Sequence, residues 1–217
     1  MCVATDAGTK RRLALILIFE SVPLPRGCEL WKLLSKLSLL DLHTGPLYFL
    51  TMSPDDRHLL KRLLRALRED RGLLIAYVKV NKSALRVVLS KLPGMRNVEG
   101  LLNPPDAMSV PNAMQLAEAI VKAADTLSAH DFEDAAEMQQ LLAAMKVAAH
   151  VINGILAIFD TKLTISEQLT RVSTTVHLVA FLAHAQGLNL TDFLPGVLAH
   201  DIQAWGKNIF FCMAKVL

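Results

Sequence analysis

SPDDRHLLKRLLRALREDRG, residues 53–72, is the clearest structural signal in the chain, because it shows both the beginning and the end of an amphipathic helix. Ser53 is a residue type that caps helices, and Pro54 suits the first helical position. Two acids follow at the positive end of the helix dipole, and leucines then recur at helical spacing. Gly72 is a common helix terminator. The stretch therefore predicts a helix over 54–71.

Outward from this helix, the pattern of apolar residues and turn signals predicts a mainly α-helical fold. Two capping boxes, Ser128–Asp131 and Thr164–Glu167, mark the beginnings of helices that run to about 159 and about 186. Further helices are predicted at 30–40, 83–92, 111–127 and 191–216. Short apolar runs near 13–19, 47–51 and 73–80 are predicted as strands of a small β remnant beside a helical bundle, although the run at 13–19 also fits a short helix.

The turn Asn103-Pro104-Pro105-Asp106 predicts a domain boundary, with a basic N-terminal part at 1–102 and a helical domain at 103–217. Charge changes near the same place. Residues 1–100 carry 17 Lys and Arg against 9 Asp and Glu, a net +8, whereas residues 101–217 carry 6 against 11, a net −5. Such a division indicates either a polyanion-binding surface or two halves that attract each other.

The composition is rich in aliphatic residues. Of the 217 residues, 53% are hydrophobic and only 6% are aromatic, which favours helix packing. An apolar excess of this size predicts either a large core or apolar surface that a protein partner or a second copy of the chain would cover.

The three cysteines, Cys2, Cys28 and Cys212, are scattered, so the sequence predicts neither a disulfide framework nor a zinc site. The apolar run after Lys10 is too short for a typical signal peptide. The run 147–159 is too short to span a bilayer and contains polar residues. We therefore expect an intracellular protein that is neither secreted nor bound to a membrane.

The helix at 54–71 carries a row of cations. Arg57, Lys61, Arg65 and Arg68 recur on one face, opposite the leucine stripe. Such a row could follow a nucleic-acid backbone without reading its sequence. The alternative is an ordinary solvated helix face, partly neutralised by the acids at 69 and 70.

Other chemistry is weakly indicated. Asp55 and Asp56 beside His58 could contribute to a divalent metal site, but acids are also common in the first turn of a helix. The histidines His177 and His184, seven residues apart, are more typical of a helix core or its rim than of a metal site. Neither a phosphate-binding glycine loop nor a nucleophile–base arrangement is found. The residues themselves thus indicate no cofactor and no metal.

Several blocks in this order resemble a large, uncharacterised family of fungal (mushroom-type) transposon-derived proteins. That family in turn is similar to the P-element, THAP-type transposase core. The blocks are Leu24-Pro25-Arg26, Leu40-Asp41-Leu42-His43-Thr44-Gly45-Pro46, Asp55-x-x-His58-x-x-Lys61-Arg62, Leu102-Asn103-Pro104-Pro105-Asp106, Val110-Pro111-Asn112-Ala113, Leu163–Leu169 and Lys207–Lys215.

The resemblance implies an RNase-H-like fold interrupted by a helical, GTP-binding insertion domain. Asp55 would then occupy the place of a metal-binding aspartate at the end of a strand, with His58 and Lys61 beside it. It also implies a nuclear protein for which Mg²⁺ or GTP would be possible ligands, although no motif here supports either.

The departures from the family pattern predict a protein without catalytic activity. Asp6 and Asp41 lie in unsuitable contexts for the family's first catalytic aspartate, and its final glutamate belongs to a segment beyond Lys215. One carboxylate cluster cannot hold two divalent ions against phosphate repulsion. We therefore expect a transposase-derived fragment of unknown cellular role, in which Asp55, His58 and Lys61 are vestigial. The alternative is a helical nucleic-acid-binding or protein-interaction module that uses the helix at 54–71.

Overall fold

The computed structural model describes residues 2–5, 14, 17–37, 40–46, 51–106, 109–185 and 194–215, and they form a mainly α-helical protein with small β elements. The helices are α1 (Glu29–Leu34), α2 (Asp56–Arg68), α3 (Lys82–Ser90), α4 (Val98–Leu102), α5 (Val110–Thr126), α6 (Ala135–Leu156), α7 (Ile165–Ala185) and α8 (Gly196–Ala214). The strands are β1 (Cys2–Thr5), β2 (Val22–Pro23), β3 (His43–Thr44), β4 (Thr51–Pro54), β5 (Leu73–Ile75) and β6 (Val78–Val80).

The chain divides into two compact units. Unit 1 consists of residues 1–58 and 200–217, and unit 2 consists of residues 59–199. Unit 2 is therefore inserted, in sequence, between the two parts of unit 1. The boundary predicted at 102/103 falls inside unit 2, because the turn at Asn103 joins α4 to α5 within that unit.

The strands of unit 1 form two small sheets. β1 and β4 pair in parallel, with Cys2 opposite Thr51 and Thr5 opposite Pro54. β2 and β3 pair antiparallel, and a hydrogen bond of 2.8 Å from Leu24 N to the carbonyl of Leu42 extends that pairing. A parallel pair needs a long connection, and here the connection carries α1 and the β2–β3 pair.

The core of unit 1 forms where α1 packs against the last turns of α8. Its buried members are Leu24, Leu30, Leu34 and Phe211, with Trp31 packed against them. α1 is short, and the sulfur of Cys28 caps it by accepting the backbone N–H of Trp31 at 3.3 Å. The helix predicted over 30–40 thus ends six residues early, in a turn after Leu34.

Unit 2 begins with most of α2, whose leucines are buried, followed by the β5–β6 hairpin and helices α3 to α7. Within the unit, α6 packs against α5, α7 and β6. The side chain of Asn81 caps α3 by accepting the N–H of Ala84 at 3.0 Å. The predicted helices at 83–92 and 111–127 are confirmed within two residues at each end.

The two predicted capping boxes have different outcomes. Thr164 and Glu167 form the expected reciprocal bonds and open α7, so this prediction is confirmed. Ser128 and Asp131 also form their box, but it closes a single 3-10 turn, Ala129–Asp131. The long helix α6 begins later, at Ala135, where Asp134 accepts the N–H of Glu137 at 3.1 Å.

Among the described residues one helical stretch, Ala135–Phe159, is long and apolar enough to cross a membrane by length and composition. The apolar run predicted to be too short at 147–159 is the second half of this longer helix. Of its most apolar window, 61% is buried inside the protein, as is common for a core helix of a soluble protein. Length and composition therefore do not by themselves indicate a membrane span.

The predicted strands are partly confirmed. The run near 73–80 is a β-hairpin rather than one strand, since Ala76 and Tyr77 turn the chain between β5 and β6. Of the run near 47–51, residues 47–50 lie outside the described residues, and the strand observed here begins at Thr51. The run near 13–19 is wrong as a strand: Ala14 and residues 17–19 are helical. Leu and Ile suit both structures, so a short apolar run does not decide between them.

Candidate functional site at the end of the parallel strand pair

Asp55 lies at the carboxyl edge of the β1–β4 pair, immediately after Pro54, the last residue of β4. The carboxyl ends of parallel strands meet at one edge of a sheet, and polar side chains placed there commonly carry function in α/β folds. Asp6 follows Thr5 in the sequence and lies outside the described residues.

Asp55, and not Ser53, caps α2. Its Oδ1 accepts the backbone N–H of Arg57 at 2.8 Å and that of His58 at 3.1 Å. The helix begins at Asp56, so the predictions that Ser53 caps it and that Pro54 is its first residue are wrong. The reason is tertiary: Pro54 is still paired with Thr5 as a strand residue.

The charge of Asp55 is stabilised where it lies. Partial burial raises the pKa of this carboxyl, but the N–H groups of His58 and Arg57 outweigh burial and hold the pKa below its usual value. The His58 ring contributes in the same direction, with its Nδ1 3.5 Å from Asp55 Oδ1. Asp55 and His58 are thus brought together, whereas Lys61 lies one turn further along α2 and is buried.

Asp56, next to Asp55, has the opposite electrostatic character. It is half-buried, and burial raises its pKa above the ordinary value. The indole N–H of Trp205 acts against this shift, while the neighbouring Asp55 charge adds to it. Trp205 is fully buried, and its Nε1 has no hydrogen-bond partner of normal geometry among the described residues. Its effect on Asp56 is therefore that of a nearby dipole.

One face of α8 supplies the polar surroundings of β4. Asp201, Trp205, Asn208 and Cys212 recur at spacings of four, three and four, which places them on the same side of the helix. The hydroxyl of Thr51, at the start of β4, donates to Asn208 Oδ1 at 2.6 Å. Thr51 at the start of β4 bonds to Asn208, whereas Asp56 just beyond the end of β4 lies near the earlier helix residue Trp205. α8 therefore runs antiparallel to β4.

Asp201 is a fully buried carboxylate on this face, one turn before Trp205. Sequence reasoning missed it, because an isolated acid in an apolar helix resembles any surface residue. The available signal was the spacing: Asp201, Trp205 and Asn208 recur at helical spacing and so share one face of α8.

Lys207 links α8 to the N-terminal part of unit 1 through ion pairs. Its side chain is 8% exposed, and its Nζ binds Asp41 and lies 3.4 Å from Glu20 Oε1. Asp41 Oδ1 is also 2.6 Å from His43 Nδ1. Burial raises the pKa of Asp41, but Lys207 and His43 together lower it below its usual value. Asp41 is thus occupied by structural contacts with Lys207 and His43.

The four cations predicted for nucleic-acid binding do not form one exposed row. Arg57 and Arg65 are exposed, and Arg65 Nε pairs with Glu69 Oε1 at 3.3 Å. Lys61 and Arg68 are buried, at 8% and 9% exposure. Arg68 donates from Nε to the carbonyl of Leu101 at 3.0 Å, and from a terminal nitrogen to that of Asn112 at 3.4 Å. Two of the four predicted cations, Lys61 and Arg68, are therefore buried in the protein rather than displayed to solvent.

The contacts of the described residues do not form a metal centre. Within the described ranges, no group of three His, Cys, Asp or Glu side chains is placed to hold a metal ion. Asp55 and His58 provide two such groups, and Asp55 Oδ1 already accepts two backbone hydrogen bonds. The side chain of His184 lies outside the described residues, and His177 bonds to the carbonyl of Ser173 in its own helix.

Comparisons of the chain with protein-family models, with curated proteins and with solved structures find no match. Function is therefore argued from the residues at the strand edge and from the order of the two units along the chain.

Proposed function

We propose that this chain is a catalytically incomplete relative of RNase-H-like transposases, with a helical domain inserted into its sheet-containing unit. The observation that carries the proposal is the parallel β1–β4 pair, whose carboxyl edge is followed directly by Asp55 and then by α2. The resemblance implies that arrangement for Asp55-x-x-His58-x-x-Lys61. Chain order supports it independently of the motif.

The division of the chain into two units supports the proposed insertion. Unit 1 is built from the two ends of the described chain, and unit 2 lies between them in sequence. A domain inserted after a strand-end aspartate would give this discontinuity. In the proposal the inserted domain is residues 59–199, and it includes the hairpin and α3 as well as the helices after Asn103.

We infer that the chain is non-enzymatic because its carboxyl groups near the strand edge are engaged or buried. Phosphoryl transfer by two divalent ions needs several ionised carboxylates that face a common, accessible point. Asp55 is engaged in capping α2 through two backbone hydrogen bonds, and Asp56 is half-buried rather than openly accessible. Asp201 is 0% exposed, so it cannot bind an ion that also contacts a phosphodiester in this conformation.

A cleavage assay tests the absence of catalysis. The full chain would be incubated with end-labelled duplex and nicked DNA in Mg²⁺ and, separately, in Mn²⁺, beside its Asp55→Asn and Asp201→Asn variants. We expect equal background with all three proteins. Cleavage or strand joining that requires the metal and is lost in both variants would overturn the proposal of an incomplete site. The exposed-acid variant Glu133→Gln is the control for general loss of charge.

Descent from the transposase core is tested separately, by an experimental structure of unit 1. The proposal expects β1 beside β4 in parallel, with further strands of an RNase-H-like sheet on the other side of β1. A β1–β4 pair that stands alone, or an antiparallel pairing, would contradict it. The same proposal implies an intracellular, nuclear protein, which imaging of a tagged chain would check.

The alternative function, nucleic-acid binding by the row Arg57, Lys61, Arg65 and Arg68, loses support from the burial of Lys61 and Arg68. Arg68 donates to two internal carbonyls, so it is not available to release counterions from a phosphate backbone. Of these four cations, Arg57 and Arg65 are the two with exposed side chains that could contact nucleic acid directly.

A further inference from the structure

The tip of the β5–β6 hairpin holds an exposed aromatic ring in an unusual backbone conformation. Ala76 and Tyr77 form the two-residue turn, with φ of 48° and 64°. Two-residue hairpins whose central residues both have positive φ are usually Asn-Gly, because a Cβ crowds the backbone in this region. Tyr77 is nevertheless 74% exposed, the largest value among the exposed large hydrophobic residues described.

The hairpin that carries this ring is firmly anchored. Asn81 follows β6, and its amide donates to the carbonyl of Asp70 at 2.9 Å while its oxygen caps α3. Gly72 packs so closely that an added Cβ would lie 2.3 Å from the carbonyl oxygen of Val80. The tip is therefore displayed from a fixed base. Strained residues on a fixed base commonly mark functional surfaces.

The segment around the tip is strongly basic. Residues 71–98 carry six Lys and Arg and no Asp or Glu. Lys79 is exposed and lies opposite Leu74 in the hairpin, two residues from Tyr77, and Arg71 is exposed just before β5. Lys82 and Arg86 are partly engaged, with Asn103 and Glu99 respectively. In sequence, the acids next to this segment are Asp70, directly before it, and Glu99, directly after it, and Glu99 pairs with Arg86.

We propose that this hairpin tip binds single-stranded nucleic acid, with Tyr77 stacked on a base and Lys79 and Arg71 contacting the phosphates. An aromatic ring displayed beside cations is the arrangement that single strands require, since bases stack on aromatic faces and the backbone follows positive charge. A duplex hides its base faces, so a single strand is the better fit. The inference rests on the hairpin's own residues and not on transposase descent.

Binding of a labelled oligothymidylate of about 12 nucleotides, within the usual site size for single strands, tests the proposal. Fluorescence anisotropy would be measured on the full chain at about 50 and about 200 mM salt, a range over which phosphate contacts weaken strongly. An abasic oligonucleotide of the same length measures the part of binding that does not need bases.

Three variants separate the ring from the charge. Tyr77→Phe keeps the ring and should bind within about twofold of the wild type. Tyr77→Gly removes the ring and suits the positive φ, and it should weaken binding about tenfold, as expected for loss of one stacked base. Lys79→Gln should flatten the salt dependence. Lys146→Gln, an exposed lysine on α6, is the charge-matched control and should leave binding unchanged.

Several outcomes would overturn the proposal. They are absence of salt-sensitive binding to the wild type, wild-type affinity in Tyr77→Gly, or equal affinity for the abasic and intact oligonucleotides. Competition by polyglutamate at equal charge as effective as that of unlabelled oligothymidylate would indicate an acidic protein surface as the partner instead. Circular dichroism confirms that each variant is folded, and the abasic comparison uses the wild type alone. The cleavage assay for the proposed function is independent of every one of these results.

Discussion

The hydroxyl of Thr51 donates a 2.6 Å hydrogen bond to Asn208 Oδ1, across 157 positions of sequence. Both residues are buried, Thr51 at the start of β4 and Asn208 in the middle of α8. This bond joins the two parts of unit 1 that the inserted unit separates along the chain. It thereby holds α8 alongside the strand that ends at Asp55.

Replacing Thr51 with valine keeps the side-chain shape and removes this donor. An intramolecular hydrogen bond contributes about 0.5–1.5 kcal/mol net, and Asn208 Oδ1 also accepts from Cys212 Sγ at 3.8 Å, so the free energy of unfolding should fall by about that amount. Urea denaturation followed by circular dichroism measures it. Thr51→Ser should retain most of the stability. The double variant Thr51→Val with Asn208→Leu should cost less than the sum of its parts, and strict additivity would show that the bond contributes little.

Arg68 and Arg65 lie one turn apart on α2 and offer a matched pair. Arg68 is buried and donates to two backbone carbonyls. Arg65 is exposed and forms an ion pair with Glu69. Arg68→Met should therefore lower the free energy of unfolding by about 2 kcal/mol, since hydrogen bonds from a charged donor are the stronger kind. Arg65→Met should cost less than about 0.5 kcal/mol.

Urea midpoints at constant m-value measure both changes. Equal losses in the two variants would mean that the burial of Arg68 has no energetic consequence. In that case the four cations predicted for nucleic-acid binding would again be equivalent, and the prediction of a single basic face would regain support.

Asp41 should make unit 1 sensitive to acid. Its folded-state pKa lies below the usual value of 3.8, with burial opposing and with Lys207 and His43 causing the reduction. A carboxyl whose pKa is lowered by folding stabilises the protein above its unfolded pKa, and this contribution is lost as the pH falls through the folded pKa. Stability should thus be level near neutral pH and decline below about pH 4.

Thermal unfolding at a series of pH values checks this, with Asp41→Asn beside the wild type. The variant should be less stable than the wild type at pH 7, and the difference should shrink as the pH falls. Lys207→Met should show the same convergence, since it removes the main cation near Asp41. A wild-type advantage that persists undiminished in acid would contradict the assignment. Glu133→Gln, at an exposed acid of unit 2, serves as the control.

The sequence correctly predicted those features that depend on hydrogen bonds between residues a few positions apart. Thr164 and Glu167 are three residues apart, and their reciprocal bonds need nothing beyond the first turn of α7. Ser53 and Pro54 have equally good local chemistry for a helix start, yet they belong to β4 because Pro54 pairs with Thr5. A pairing partner almost fifty residues away is invisible to a pattern of neighbouring residues.

The same limit applies to the candidate site. Asp55 was found because it stands in a recognisable helix start, and the resemblance gave it a role. Trp205 and Asn208 were not found, since their importance comes from Asp56 and Thr51, about 150 residues earlier. The Ala76–Tyr77 turn was also missed, because it lacks the Asn-Gly sequence that usually signals a two-residue hairpin turn.

Gly154 on α6 offers the sharpest packing test in unit 2. A Cβ added there would lie 1.6 Å from Thr175 Oγ1 and 2.8 Å from Thr175 Cβ, on the facing helix α7. Alanine favours a helix over glycine by about 1 kcal/mol, but overpacking of a close helix crossing costs about 1–3 kcal/mol. Because both the contact and Thr175 are buried, the steric cost should exceed the gain, and Gly154→Ala should lower the melting temperature.

Thr175→Ala, which removes the hydroxyl from the crossing, should rescue part of this loss in the double variant. Gly94→Ala is the control: a Cβ there meets nothing within 4 Å, but its φ of +81° makes the substitution costly for conformational reasons alone. Thr175→Ala should therefore leave the cost at Gly94 unchanged. Equal rescue of both substitutions by Thr175→Ala, or rescue of neither, would contradict this prediction. It would mean that the close approach of α6 and α7 is not the reason why position 154 requires glycine.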